Sequence, residues 1–237
     1  MRTIRILAFG AALASAAACT FAANAVPAAA APDLDAIVTY ETRQVMASGV
    51  VRDERWQEHI VRRGDSVWAE RVLPAATRAA HSHESAAQHA GHKHFDFDGA
   101  ARLVQRDRQG GTVLRYVDTM NRVVVAVPPA EYGAVGFDGR WGAAAHVVPP
   151  EVVAGMPGGR GTAQPGARWL ADQADGWTHR VLWSDSRAVA LRIESTRDDG
   201  SFSRRVTVVV AASASPVAPP WSDLASYTQK EYDDFMD

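Results

Sequence analysis

Five of the eight histidines in this 237-residue chain lie close together, between residues 81 and 94. Neutral imidazole is the commonest protein ligand for zinc and copper, so this run is the first candidate for chemistry. Two ligands separated by one residue share a face of an extended segment, and a loop can fold around the ion that it binds. The candidate metal ligands are His81, His83, His89, His92 and His94.

The same run is also typical of a solvated polar loop. Histidine-rich tracts are a compositional signal without fixed ligand spacing. The surrounding segment 75–94 is small, polar and rich in alanine. A loop of that kind binds metal weakly, as a purification tag does. The sequence leaves both interpretations open, so no cofactor is certain, and copper or zinc are the candidates. The isolated histidines His59, His146 and His179 are assigned no role.

Catalytic motifs are not recognisable elsewhere in the sequence. His179, Ser184 and Asp185 are the residue types of a hydrolase triad, but there is no G-x-S-x-G elbow, and turn chemistry explains the serine and the aspartate. The Gly/Pro-rich segment 157–166 lacks the Gly-Lys-Ser/Thr ending of a phosphate-binding loop. The sequence therefore predicts a protein that is not an enzyme.

The first 25 residues have the pattern of a secretory signal peptide. Arg2 and Arg5 precede an apolar, alanine-rich run, and Ala23-Asn24-Ala25 supplies the small residues of an A-x-A cleavage site. We expect export to the periplasm, cleavage after Ala25 and a single domain over 26–237. A lipid anchor at Cys19, the only cysteine, is the less favoured alternative, because alanine stands where lipoprotein signals usually carry a leucine-like residue.

Charge argues against a nucleic-acid partner, and hydropathy argues against a membrane-spanning segment. The chain has 25 basic and 27 acidic residues, which gives no electrostatic reason to bind nucleic acid. The apolar run near the start is shorter than the roughly 20 residues that a membrane-spanning helix needs, and no later run is longer. We therefore predict no integral membrane segment.

Alternation of apolar and polar residues from Leu34 onward predicts about nine short antiparallel strands. The stretches "RWQEHIVRR" and "DSVWAERVLP" flank Gly64 and Asp65, which favour a tight turn. A second hairpin is predicted around "RQGG" and a third around "DSR". Short helical turns are expected at "PAEYGAV" and "PPEVVAGM", and a longer C-terminal helix is expected over 222–236.

These hairpins resemble the LolA-like superfamily of periplasmic lipoprotein carriers and the N-terminal domain of RseB-type envelope-stress sensors. The resemblance rests on "ERWQEHIVRRGDSVWAERV", "QGGTVLRYVDTMNRVVV" and "HRVLWSDSRAVALRIESTRDDGSFSRRVTVV", and it covers most of residues 34–212. It implies a mainly β fold: a curved antiparallel sheet, or incomplete β-barrel, with a few short helices over its concave side. It also implies that an acyl chain or a lipoprotein segment is held there, with a lipid, a lipoprotein or an envelope protein as partner.

The predicted hydrophobic cavity is lined by residues on one face of the sheet. Each buried methylene of an acyl chain is worth about 0.8 kcal/mol, so an apolar face can hold such a chain without catalytic groups. We expect Trp56 and Trp68 to be cross-strand neighbours on that face. The predicted cavity residues are Trp56, Ile60, Trp68 and Val72.

Overall fold

A computed structural model describes residues 31–74 and 95–235, which form one sheet and several short helical segments. The strands are β1 (Leu34–Val45), β2 (Val51–Arg63), β3 (Ser66–Arg71), β4 (Ala101–Arg106), β5 (Thr112–Asp118), β6 (Val123–Val127), β7 (Ala167–Ala174), β8 (Trp177–Ser184), β9 (Val189–Arg197), β10 (Phe202–Val210) and β11 (Thr228–Glu231). Their order across the sheet is β11-β6-β5-β4-β3-β2-β1-β10-β9-β8-β7. All neighbours are antiparallel except β11 and β6, which are parallel.

The helical segments are short and lie between β6 and β7 or near the C-terminus. Helix α1 spans Trp141–His146, and helix α2 spans Pro150–Gly155. Single 3-10 turns occupy Pro129–Glu131, Gly133–Val135, Leu224–Ser226 and Tyr232–Phe235. The turns predicted at "PAEYGAV" and "PPEVVAGM" are confirmed, with proline in the first turn of each. Helix α1, of six residues, is too short to leave a periodic signal in the sequence and was not predicted.

The sheet is strongly curved. Five strand-to-strand steps separate β4 from β9, which would place them about 24 Å apart in a flat sheet. Val104 of β4 and Ile193 of β9 nevertheless line one cavity, and α1 contacts both strands. The face that carries α1 is therefore concave. The predicted fold class is confirmed: a mainly β, incomplete barrel that does not close, as the resemblance to the LolA-like superfamily implied.

The predicted hairpins β2–β3, β4–β5 and β8–β9 all form. Gly64 has a φ of +51°, a left-handed conformation in which a side chain would be strained, so the turn between β2 and β3 requires glycine. Two strands were missed, β7 and β11. Strand β7 forms an edge of the sheet, and its sequence "ARWLADQA" does not alternate cleanly.

The C-terminal helix predicted over 222–236 is wrong. Residues 228–231 instead add β11 to the edge strand β6, which covers backbone groups that the sheet would otherwise leave unpaired. The aromatic residues of this segment are divided between two faces. Leu224 and Tyr227 pack on the convex face, and Tyr232 lies in a cluster that includes Tyr116 and Phe137. A single amphipathic helix cannot place its apolar stripe on both sides of a sheet.

Separate apolar clusters cover the two faces of the sheet. The concave cluster runs from β3 through β1 to β9 and includes Val38, Ile60 and Val206. The convex cluster includes Val61, Trp68 and Leu103, and the C-terminal segment packs over it. Within the described residues, no helix is long and apolar enough to span a membrane.

Candidate ligand-binding site

A cavity of about 290 Å³ lies on the concave face beneath α1. Its walls come from six neighbouring strands, β4, β3, β2, β1, β10 and β9, and its roof is formed by α1 and the residues after it. This volume is at the lower end of the range for small-molecule sites. The apolar lining residues are Ile60, Val67, Ala69, Val104, Ala143, Ala144, Val147, Val148, Ile193 and Val206.

The concave face changes from apolar to polar along the strands. One row of directly paired residues across β1, β10, β9 and β8 consists of Tyr40, Val206, Ile193 and Val181. The neighbouring row, two residues further along each strand, is polar and is called the rim row here. It consists of Thr42, Arg204, Ser195 and His179.

Tyr40 lies where the apolar and polar parts of the cavity meet. Its ring stacks on Trp56, with the ring centroids 5.0 Å apart and the planes 13° from parallel. Its hydroxyl donates a hydrogen bond of 2.9 Å to Oε2 of Glu58. Burial raises the pKa of Tyr40 above its usual value, and the negative charge of Glu58 adds to this rise. The phenol therefore stays protonated and acts as a hydrogen-bond donor.

Two arginines line the cavity from different strands, Arg102 on β4 and Arg204 on β10. The Arg204 guanidinium carbon lies 5.5 Å from the centroid of the Tyr40 ring. Both positive charges act on the Tyr40 hydroxyl and partly offset the rise in its pKa. Arg102 also interacts with the hydroxyl of Tyr116. The cavity thus combines apolar walls with convergent positive charge.

Ser195 lines the cavity and pairs with a histidine of the rim row. Its Oγ lies 2.9 Å from Nδ1 of His179, which stacks on Trp177. Asp172 stands opposite His179 in the register of β7 and β8. Between these two side chains no hydrogen bond is found in the part of the chain that the structure describes. The arrangement is a hydrogen-bonded pair in the rim row.

The roof of the cavity is anchored by Arg62, which is fully buried on the concave face of β2. Its guanidinium donates to the carbonyl oxygen of Ala145 in α1, and to those of Arg187 and Ala188 in the turn before β9, at 2.7 and 3.2 Å. Its Nε donates to the carbonyl of Pro32 at 2.9 Å. Burial lowers its pKa to about 10, so Arg62 remains charged at neutral pH. One side chain thus ties the helix to the sheet.

Strained backbone lies beside these anchor points. Val147, directly after α1, has a φ of +67°, and Ala188 has a φ of +46°. A β-branched residue with positive φ is a rare and costly conformation that persists only where its surroundings over-determine it. The hydrogen bonds of Arg62 to Ala145 and Ala188 supply that constraint. Val147 in turn lines the cavity.

The predicted cavity residues are divided between the two faces. Ile60 lines the cavity, and Trp56 lies on the same face, against Tyr40. Trp68 is buried in the convex cluster. Val72, just beyond β3, is 39% exposed. The expectation that Trp56 and Trp68 are cross-strand neighbours is wrong, because Trp56 pairs with Tyr40 and Trp68 pairs with Val61 and Leu103.

The predicted metal ligands His81, His83, His89, His92 and His94 lie outside the described residues. Within 31–74 and 95–235, no group of three or more histidine, cysteine, aspartate or glutamate side chains is placed to hold a metal ion.

The polar residues of the cavity, Tyr40, Arg102 and Arg204, were not predicted. The sequence did contain a signal for one of them. Arg204 stands between Phe202 and Val206 at the spacing of the apolar face of β10, where a polar residue is unexpected. In the structure this arginine is exposed and belongs to the rim row.

Comparison with known proteins gives likenesses of structure only. No family model and no curated protein matches the chain. A DUF1329 family protein from Desulfovibrio piger aligns with 86% of this chain and 92% of its own, at 9% identity and a TM-score of 0.34. A LolA superfamily protein from Nitrosomonas europaea aligns with 78% and 87%, at 8% identity and a TM-score of 0.31.

PNGF-II aligns with 86% of this chain at 10% identity and a TM-score of 0.36, and the chain spans 32% of its length. The strand order and register of this chain define its fold.

Proposed function

We propose that the protein is an exported, periplasmic binding protein that holds a hydrophobic ligand on the concave face of its incomplete barrel. The ligand is an acyl chain or the acylated segment of a lipoprotein, and the role is that of a carrier or an envelope sensor. The observation that supports this proposal is the cavity beneath α1, where ten of the fourteen lining residues are aliphatic. Such walls bind by removing apolar surface from water, which needs no catalytic group.

The size of the cavity favours one chain. At about 0.8 kcal/mol per buried methylene, even part of an acyl chain recovers several kcal/mol of binding energy. The volume of about 290 Å³ is small for a ligand with several chains. Residues Ala143 and Ala144 of α1 form the roof, and their short side chains leave space that larger residues would fill.

Native mass spectrometry of the protein purified from the periplasm of the cell that makes it tests this proposal. We expect a fraction of the molecules to carry the added mass of a lipid, and the polypeptide to begin after Ala25. The proposal is contradicted if the protein carries no lipid and also takes up none from added fatty acid.

A further inference from the structure

The cavity has a cationic end that an uncharged acyl chain would not use. Arg102 and Arg204 enter it from β4 and β10, which are different walls of the barrel. Neither arginine forms an ion pair with a carboxylate among the described residues. Arg102 is partly buried and Arg204 is exposed to solvent, so a ligand can reach both guanidinium groups. Both groups are therefore available to an anion that enters the cavity.

Glu58, a carboxylate that acts on Tyr40 at this end of the cavity, is already engaged. Its Oε2 accepts the hydrogen bond from Tyr40, and it stands directly opposite Arg71 in the pairing of β2 with β3. Arg71 lies on the same concave face, with its guanidinium carbon 5.8 Å from the centroid of the Trp56 ring. Even when Glu58 is counted, positive charge is in excess on this part of the concave face.

We propose that the cavity takes a single-chain amphiphile with an anionic head group, and that Arg102 and Arg204 bind that head group while the aliphatic walls hold the chain. This inference rests on the proposed function and specifies its ligand class. Guanidinium groups present planar arrays of donors that match the oxygens of a carboxylate or a phosphate. Ser195 adds a hydroxyl group to the lining of the same cavity, whereas the Tyr40 hydroxyl stays hydrogen-bonded to Glu58.

The test compares ligands that share a ten-carbon chain and differ in the head group. Isothermal titration calorimetry with the full mature protein is run with decanoate, decyl phosphate, 1-decanol and inorganic phosphate. We expect the two anionic amphiphiles to bind about tenfold or more tightly than 1-decanol, because a charge-assisted contact is worth at least one such factor. Inorganic phosphate, which has no chain, should show no saturable binding.

Substitutions assign the preference to the two arginines. Arg102→Gln and Arg204→Gln should each reduce the affinity for decanoate about tenfold and leave the affinity for 1-decanol unchanged. Arg204→Lys should restore part of the loss, because it keeps the charge. Arg205→Gln is the matched control, since Arg205 is the next residue of β10, faces the convex side near Glu41 and should not matter.

The outcomes separate this inference from the proposed function. Equal affinity of the parent protein for decanoate and 1-decanol would overturn head-group recognition while leaving acyl-chain binding intact. An equal loss of decanoate and 1-decanol in the arginine variants, with unchanged circular dichroism, would also overturn it. Binding of inorganic phosphate as tight as that of decyl phosphate would reduce the site to a simple anion site. Failure of all three ten-carbon ligands to bind would overturn both proposals.

Discussion

The guanidinium of Arg62 lies 3.4 Å from Nδ1 of His146 in the buried base of α1. That nitrogen also lies 2.5 Å from the carbonyl oxygen of Ala188. A carbonyl can only accept, so Nδ1 carries the proton and donates it to Ala188, and the contact with Arg62 is not a hydrogen bond. A second proton on the ring would create a cation beside the buried cation of Arg62. Burial, together with that charge, lowers the pKa of His146.

The lowered pKa of His146 predicts acid destabilisation of the roof. The unfolded chain takes up a proton near pH 6.5, whereas the folded protein resists it until a lower pH. The stability that depends on neutral His146 is therefore complete above pH 6.5 and is lost as the pH falls toward its folded pKa. We expect the free energy of unfolding to fall less steeply between pH 7 and 5 in His146→Asn than in the parent. Denaturant unfolding at several pH values measures this.

His59 is the matched control for that experiment, because its pKa shift has the opposite sign. A hydrogen bond with Glu70, 3.3 Å away, raises the pKa of His59. Its contribution is complete below pH 6.5 and is lost as the pH rises through its folded pKa. In His59→Gln the stability should therefore fall more steeply with acidification than in the parent. If the free energy of unfolding depends on pH in the same way in both variants, the opposite pKa shifts assigned to His146 and His59 are refuted.

Arg62 predicts a large loss of stability on substitution. Arg62→Leu would leave the buried carbonyl group of Ala145 and the part-buried carbonyl group of Arg187 without this donor, while Ala188 would keep only His146. An unsatisfied buried group costs about 1–3 kcal/mol. We expect the free energy of unfolding to fall by about 3 kcal/mol or more, with Arg62→Lys also destabilised because an ammonium cannot reproduce the planar fork. Arg205→Gln, on the exposed surface, should change it by no more than about 0.5 kcal/mol. A small effect of Arg62→Leu would show that the roof is anchored elsewhere.

Trp68 is predicted to matter for stability and not for the ligand. It is almost completely buried against Val61 and Leu103 on the convex face. Trp68→Ala should lower the free energy of unfolding by about 3–5 kcal/mol, which is typical for a large core residue. The affinity for a fatty acid, measured well below the melting temperature, should be unchanged. If Trp68→Ala loses as much affinity for the fatty acid as a substitution in the cavity does, the division of roles between the two faces is contradicted.

Trp68 was expected on the same face as Trp56, and its position on the convex face shows what the sequence pattern did not determine. Alternation correctly placed Trp56 and Ile60 on one face of β2. Which residues of β3 share that face depends on the register, because side chains alternate with a period of two. The turn Gly64-Asp65 makes Arg63 and Ser66 a cross-strand pair. Trp56 is seven residues from Arg63 and Trp68 is two from Ser66, so the two rings point to opposite sides.

The C-terminal segment shows a second limit of the sequence. Spacing near 3.6 residues suggested a helix, but the need of β6 for an edge partner decided the outcome, and that need is visible only once the sheet is assembled. The hairpins, in contrast, were predictable because each depends on residues adjacent in sequence. The cavity depends on the curvature that brings β4 to β9, which no local pattern encodes.

Tyr232 is the residue through which this C-terminal segment should stabilise the fold. It is buried, and its ring centroid lies 5.6 Å from that of Phe97. Tyr232→Ala should lower the free energy of unfolding by about 3 kcal/mol. The Tyr227 side chain is only half-buried beneath Arg122. Tyr227→Ala should therefore lower the free energy of unfolding clearly less than Tyr232→Ala. Equal small effects in thermal unfolding would mean that the segment does not contribute to the core.

The histidine run 81–94 stays a prediction from sequence with two interpretations. A converged site should bind one copper or zinc ion tightly and raise the melting temperature, because only the folded state presents the ligands together. A solvated run should bind weakly, with variable stoichiometry and no thermal shift. Titration of each metal into the metal-free protein distinguishes them. His92→Ala and His94→Ala should abolish the shift in the first case and change nothing in the second.

Blocking the cavity is the most direct test of ligand binding on the concave face. Val206 lines the cavity, whereas Val209, on the other face of the same strand, is 63% exposed. Binding of a fluorescent fatty acid is measured for the parent, for Val206→Trp and for Val209→Trp, at a temperature where all three are folded. We predict saturable binding to the parent and to Val209→Trp, and at least about a tenfold loss in Val206→Trp, because the indole fills the volume that the chain needs. Equal binding by both variants, or no binding by the parent, would contradict the account.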